Sequence, residues 1–375
     1  MRWRVPAAAA LLVACGSRTG FDLGTTTGAS SSSSGSSSGS RISSSSGGLS
    51  SGATPGASPT PSCGPQPTVL ASGQSNPVSL AVDATHVYWT TQPIENVGAG
   101  SVMKVAIAGG PPTTLTTSRG PVGIALDPTS VYWANQLDGS VAKMPLGGGA
   151  VTTLFPGSGY DGWAWIAIDP QSVYWLAGPD ETDTGGSVRR MPIDGGPPST
   201  LATGLVWPTA IAVDATAAYW VDPQGNGGQT GVVMKIPIGG GSAVPLAAGV
   251  QHYPYAIALD ADTVYFTEAG SNYLDSADGA VMSVPKSGGD AFTVANAQAG
   301  ALGIAVDDAN VYWVTKVDGA VRKTPKSNAS ALTLTTLASE QAAPTAVAVD
   351  AHCVYWLNGG SGPRASDGAV MMMAK

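Results

Sequence analysis

Few residues in this chain have the chemistry for catalysis or metal binding. It has three histidines, His86, His252 and His352, and three cysteines, Cys15, Cys63 and Cys353. Histidine is the usual proton carrier near neutral pH. His86 and His352 closely follow Asp83 and Asp350 and read as turn residues. His252 stands apart, beside Tyr253 and Tyr255 and ahead of Glu268. These groups, with loop acids such as Asp275 and Asp278, would allow proton transfer in a lyase or hydrolase. They do not supply a nucleophile, base and orienter together, so no catalytic residue is assigned. Asp180, Glu181 and Asp183 are candidate Ca²⁺ ligands, but they lack the glycine and terminal Glu of an EF-hand loop. They read as solvated acids, and no metal or cofactor is expected. The cysteines lie too far apart for a zinc-type spacing.

The other functional signal is aromatic. Tyr160, Trp163, Trp165, Trp207, Tyr253, Tyr255 and Tyr273 crowd one stretch of the chain. Exposed Trp and Tyr offer broad contact area with a polar handle, suited to sugars, peptides or aromatic ligands. The alternative is that the tryptophans cap the core beneath long loops.

What positions these residues is a repeat. Asp127-Pro-Thr-Ser-Val-Tyr-Trp133 is its clearest copy. The same pattern starts at Asp83, Asp169, Asp214, Asp260, Asp307 and Asp350, in steps of 42 to 47 residues. Such a period marks a solenoid or propeller. An apolar run precedes each Asp, an alternating Gly-x-Val-x-Lys-like segment follows each aromatic pair, and a Thr-Thr-Leu-like strand ends most units. The expectation is an all-β fold of seven four-stranded antiparallel blades, strands A to D, with no helical period. Pro65–Ala71 resembles a fourth strand without a repeat before it, and the seventh repeat lacks one. The N-terminal strand should therefore complete the last blade and close the ring.

Ala stands two residues before every repeated Asp, and a small residue four before it in six repeats, with Trp165 the exception. Crowding near the axis explains this. The Asp residues read as turn formers and the Tyr-Trp pairs as packing between blades. The A–B and C–D turns are short. Variation lies in the B–C and D–A loops, which share one face, so binding is expected there, in blades three to five.

Ile-Ala-Val-Asp and His86-Val-Tyr-Trp-Thr90 resemble YWTD and NHL propeller repeats over residues 65 to 375. That resemblance implies a binding platform, although the fourth motif residue varies (Ala134, Leu176, Val221, Val314) and no ligand contacts carry over. Tyr265-Phe-Thr-Glu268 also resembles the repeat of streptogramin lyases. The histidines that resemblance implies are missing: Tyr255 and Ala256, and Pro208 and Thr209, stand in their neighbourhoods. Nor do the Ala-rich strands supply the inward Glu, Asn and Asp set of gluconolactonase-like calcium propellers.

Arg2 and Arg4 precede a short apolar run ending Leu12-Val-Ala-Cys15, which resembles a bacterial lipobox. This implies a signal peptide over residues 1–14, a lipid on Cys15 and a Ser/Gly-rich tether over 15–62. The tether would reach roughly 35–40 Å as a flexible coil. The propeller then occupies 63–375. Gly16 follows the cysteine, so outer-membrane or cell-surface placement is expected, with the lipid as the only membrane contact. Net charge is −8, with no Lys/Arg stripe, which argues against nucleic acid.

The functional expectation is a monomeric, non-catalytic module for an unknown protein, peptide or glycan. Its candidate contacts are Trp163, Trp165, Trp207, His252, Tyr253, Tyr255, Glu268 and Tyr273. The alternatives are a propeller enzyme or, by fold analogy, an envelope-assembly scaffold. With Cys15 lipidated, Cys63 and Cys353 should pair in an oxidising compartment. Two strand spacings would separate their Cα atoms by about 9–10 Å, so the chain must bend inward at Gly64.

Overall fold

The computed structural model describes residues 63–92, 99–157, 164–178, 185–225, 230–250, 252–271, 277–326, 334–362 and 366–375. The signal segment, Cys15 and the tether lie outside them, as do Tyr160, Trp163, Asp180, Glu181, Asp183, Tyr273 and Asp275.

The described strands form seven sheets of four, and every pairing within them is antiparallel. Six are built from consecutive strands. The seventh runs from Pro344–Val349 through Cys353–Asn358 and Gly368–Ala374 to the N-terminal strand Thr68–Gln74. Thr68 pairs with Met372 and Gln74 with Gly368, so the two chain ends share one blade.

Close approach of the A strands explains the small residues. A Cβ on Gly303 would lie 2.7 Å from the Cα of Ala346, and one on Gly123 would lie 2.7 Å from the backbone nitrogen of Ile166. The Gly123 N–H also donates to the Ala164 carbonyl of the next blade, at 2.9 Å. Thr90 and Thr267 add hydroxyl bonds to Val122 and Leu302 in their neighbouring blades, each 2.7 Å. The core lies between blades, where Trp89, Trp133, Trp175, Trp220, Trp313 and Trp356 are buried.

Each repeated Asp closes its A–B turn. One carboxylate oxygen accepts the N–H groups two and three residues on, at 2.6–3.0 Å, in all seven blades. The other oxygen accepts the hydroxyl of the Tyr five residues on, for example Tyr132 to Asp127 at 2.6 Å. Burial, then the adjacent Asp, pushes the phenols well above their ordinary range, as at Tyr88 and Tyr219.

Adjacent blades are also joined by charge. Lys286 reaches Asp214 of the preceding blade at 2.8 Å, and Lys326 reaches Asp260 at 2.9 Å. Lys375 makes the same pair with Asp307. Each ammonium also sits over the Tyr bonded to its Asp, 5.5–5.7 Å from the ring centre.

Candidate functional site

On the face of the B–C and D–A loops, the last residue of strand B is acidic only in blades four and five. These are Asp222, which ends Ala217–Asp222, and Glu268, which ends Thr263–Glu268. The corresponding residues elsewhere are Thr91, Asn135, Ala177, Thr315 and Asn358.

Asp222 is buried and organises the loop that enters blade four. Its carboxylate accepts the N–H groups of Val206 at 2.8 Å, Trp207 at 3.0 Å and Gln224 at 3.1 Å. The side chains so held point outward: Val206 is 43% exposed and Trp207 37%. An ionised carboxylate bound by three backbone donors makes a stiff loop.

In blade five, the carbonyls of His252 and Tyr253 accept the N–H groups of Gly270 and Ala269 at 3.2 and 3.0 Å. Tyr253 has φ 50°, a left-handed conformation uncommon for an aromatic residue. The turn holds the part-exposed His252 ring between two acids. Its Nδ1 is 3.9 Å from Glu268 Oε2 and its Nε2 is 3.9 Å from Asp278 Oδ2. Both separations exceed a direct hydrogen bond. A protonated ring would nonetheless interact with both carboxylates. Asp278 also braces the B–C loop by accepting the Ser271 N–H at 2.9 Å.

The structure divides the aromatic set. Trp207 is on the surface and Tyr253 is half-buried. Trp165 is 7% exposed and packs in a core cluster with Ile166 and Trp175, while Tyr255 is 2% exposed and packs with Ile257 and Phe266. Trp165 and Tyr255 are thus core residues rather than open contact surface. Trp165 is accommodated in the inter-blade core despite its place in a small-residue register. Trp163 and Tyr273 lie outside the described residues. Among the described residues, no group of three or more His, Cys, Asp or Glu is placed to hold a metal ion.

One pattern near this face escaped the sequence reading. The indole N–H groups of Trp89, Trp133, Trp313 and Trp356 donate to Gln74, Ser118, Gln298 and Gln341, at 2.9–3.1 Å. Each acceptor stands 15 residues before its Trp. That constant offset was a readable signal.

No family model and no curated protein matches the chain. Solved structures do. A streptogramin B lyase structure matches with TM-score 0.61 and 13% identity, over 83% of this chain and 97% of that one. A puromycin-hydrolyzing peptidase of Mycobacterium tuberculosis matches with TM-score 0.55 and 16% identity, over 74% of this chain and 48% of that one. A PQQ-bound aldose sugar dehydrogenase from Streptomyces coelicolor matches with TM-score 0.50 and 17% identity, over 68% of this chain and 94% of that one. At these identities the likeness concerns fold alone. With its seven four-stranded sheets, the chain is a seven-bladed β-propeller.

Proposed function

We propose that the protein is an exported, lipid-anchored binding module that holds a protein, peptide or glycan on its variable-loop face, centred on blades three to five, and performs no chemistry. The observation that carries this reading is the Val206–Trp207 pair, exposed side by side on a loop whose backbone is held by buried Asp222. An apolar pair on a rigid loop loses little entropy on binding, which favours recognition. The Ser/Gly-rich segment before Cys63 would let a lipidated Cys15 present this face away from the membrane.

A thermal-shift screen over glycans, peptides and metabolites finds the ligand, because binding to the native state raises apparent stability. The ligand should then bind Trp207→Ala at least tenfold more weakly. Unchanged affinity in that variant removes Trp207 from the site and sinks the reading.

His252 between Glu268 and Asp278 favours a second reading, in which the propeller is a lyase or hydrolase with His252 as proton carrier. Product analysis separates the two. Turnover of a screened ligand that His252→Ala abolishes would establish the enzyme; binding without turnover supports the module.

A further inference from the structure

We infer that the seam between blades five and six carries a recognition pocket for the side chain of a lysine presented by a peptide. The pocket lies toward the A–B turns, apart from the variable-loop face, and the inference does not rest on the binding role proposed there.

The other blades show what side chain such a seam holds. In four of them the strand C residue paired with the strand B tyrosine is a cation: Lys104 beside Tyr88, Lys143 beside Tyr132, Arg190 beside Tyr174 and Lys235 beside Tyr219. Each crosses to the next blade and donates to a backbone carbonyl there, of Leu146, Ile193, Ile238 and Lys286 in turn, at 2.7–3.0 Å. Lys143, Arg190 and Lys235 also lie 5.6–5.7 Å from the ring centre of their own tyrosine. Blade five breaks this pattern twice in one row. Ser283 stands in the cation's place beside Tyr265, and the strand D residue paired with Ser283 is Phe292. Elsewhere that strand D residue is Thr or Ser in five blades and Val244 in blade four.

Where the other blades lay a cationic stem, blade five has a cavity of about 190 Å³. Tyr265, Ser283 and Phe292 line it from blade five and Lys326 from blade six. Each of the four acceptor carbonyls belongs to the residue after the strand C proline, and Lys326 follows Pro325 in the same way. Blade seven also departs from the cation, but there Met372 is buried and fills the place itself. The Lys326 ammonium is held by Asp260 at 2.9 Å and lies over Tyr265. Blade four shows that a second cation fits beside such a pair. Lys235 and Lys286 lie 5.7 and 5.6 Å from the centre of Tyr219, while Lys286 holds Asp214. An incoming ammonium would therefore meet a tyrosine face and a carbonyl acceptor, with the cavity wall along its methylene stem. Phe292 is 58% exposed on the outer strand and offers the flanking residues an apolar contact, which selects a lysine within a peptide over a free amine.

The test titrates the purified propeller, by calorimetry, with blocked pentapeptides that carry a central lysine among varied neighbours. The controls carry norleucine, which keeps the stem and lacks the ammonium. The expected result is that a subset of lysine peptides binds, at least tenfold more tightly than their norleucine counterparts. Ser283→Lys should place a stem in the cavity from within. It should bind those peptides at least tenfold more weakly and unfold at the same denaturant concentration as wild type or higher. Phe292→Ala, at an exposed position, should keep the fold and weaken the peptides. Equal binding of lysine and norleucine peptides overturns the inference, as does undiminished binding to Ser283→Lys. Loss of stability or folding in Ser283→Lys overturns it too, because the seam would then reject the side chain it is said to fit. n-Butylamine binding as tightly as the peptides, or unchanged affinity in Phe292→Ala, overturns the peptide assignment. If no lysine peptide binds, the inference fails whatever the thermal-shift screen finds for the variable face.

Discussion

Cys63 and Cys353, 290 residues apart in sequence, are joined by a disulfide with their Cα atoms 6.0 Å apart. The approach is closer than the two strand spacings expected from blade geometry. The Gly64 carbonyl accepts the Ala374 N–H at 2.8 Å, which draws the incoming chain against strand C. Cys353, at the start of strand B, is fully buried. The bridge therefore clamps the one blade assembled from both ends of the propeller. Closing so long a loop restricts the unfolded chain, and native bridges of this kind contribute about 2–5 kcal/mol. The Cys63→Ala, Cys353→Ala double variant should unfold at correspondingly lower denaturant. Thiol counting on denatured, unreduced protein should find neither cysteine free; two free thiols from this pair would refute the bridge.

The Lys286–Asp214 pair predicts an acid-dependent contribution. Burial works to raise the Asp214 pKa, but Lys286 and the turn around Thr216 and Ala217 outweigh it and hold the carboxyl well below its ordinary value. A depressed folded-state pKa gives stability that is complete above the unfolded value, about 4, and is lost as pH falls below it. Lys286→Met should cost about 1–2 kcal/mol at pH 7. Urea titrations from pH 7 to 2 should show the gap between variant and wild type closing below about pH 4. A gap that persists undiminished at pH 2 would mean that the lysine acts through its packing on Tyr219 and not through charge.

Trp165 and Trp207 should respond oppositely to truncation. Trp165→Ala empties a core site and should cost about 3–5 kcal/mol. Trp207→Ala removes a part-exposed ring and should cost about 1 kcal/mol or less while weakening ligand binding. Equilibrium unfolding of both variants checks this. Equal losses would place Trp207 in the core.

Lipid anchoring is tested at Cys15. Cys15→Ala should yield unlipidated protein, released or retained as precursor, as read by membrane fractionation and by mass spectrometry of the N-terminus. Wild-type partition into the membrane by the variant would dismiss the lipobox assignment.

The face that carries the candidate site was readable because turn length is a local property. Short A–B turns built on Asp83 or Asp127 contrast with the variable loops around Trp207 and His252. The individual contacts were less readable. Asp and Tyr recur with one spacing in all seven repeats, yet the hydroxyl bond between them depends on both side chains facing the same side of the blade. Glu268 was visible as the end of Tyr265-Phe-Thr-Glu268. Its partnership with His252 and Asp278 joins three separate segments through loop geometry. Trp165 and Trp207 look alike in sequence, both being aromatic and close to a strand A. Only the packing of neighbouring blades buries one and leaves the other in solvent.

By itself the sequence determined the repeat, the seven blades, the small residues at the axis and the closure by the N-terminal strand. All of these follow from local periodicity and from edges that must be paired. The tertiary structure alone decided which residues far apart in sequence meet. Lys286 finds Asp214, 72 positions before it, because blades stack side by side, and Asp278 finds His252 because the loops at one end of blade five converge. It also decided that Cys63 lies against Cys353, since that approach depends on how the chain bends at Gly64 before it joins the sheet.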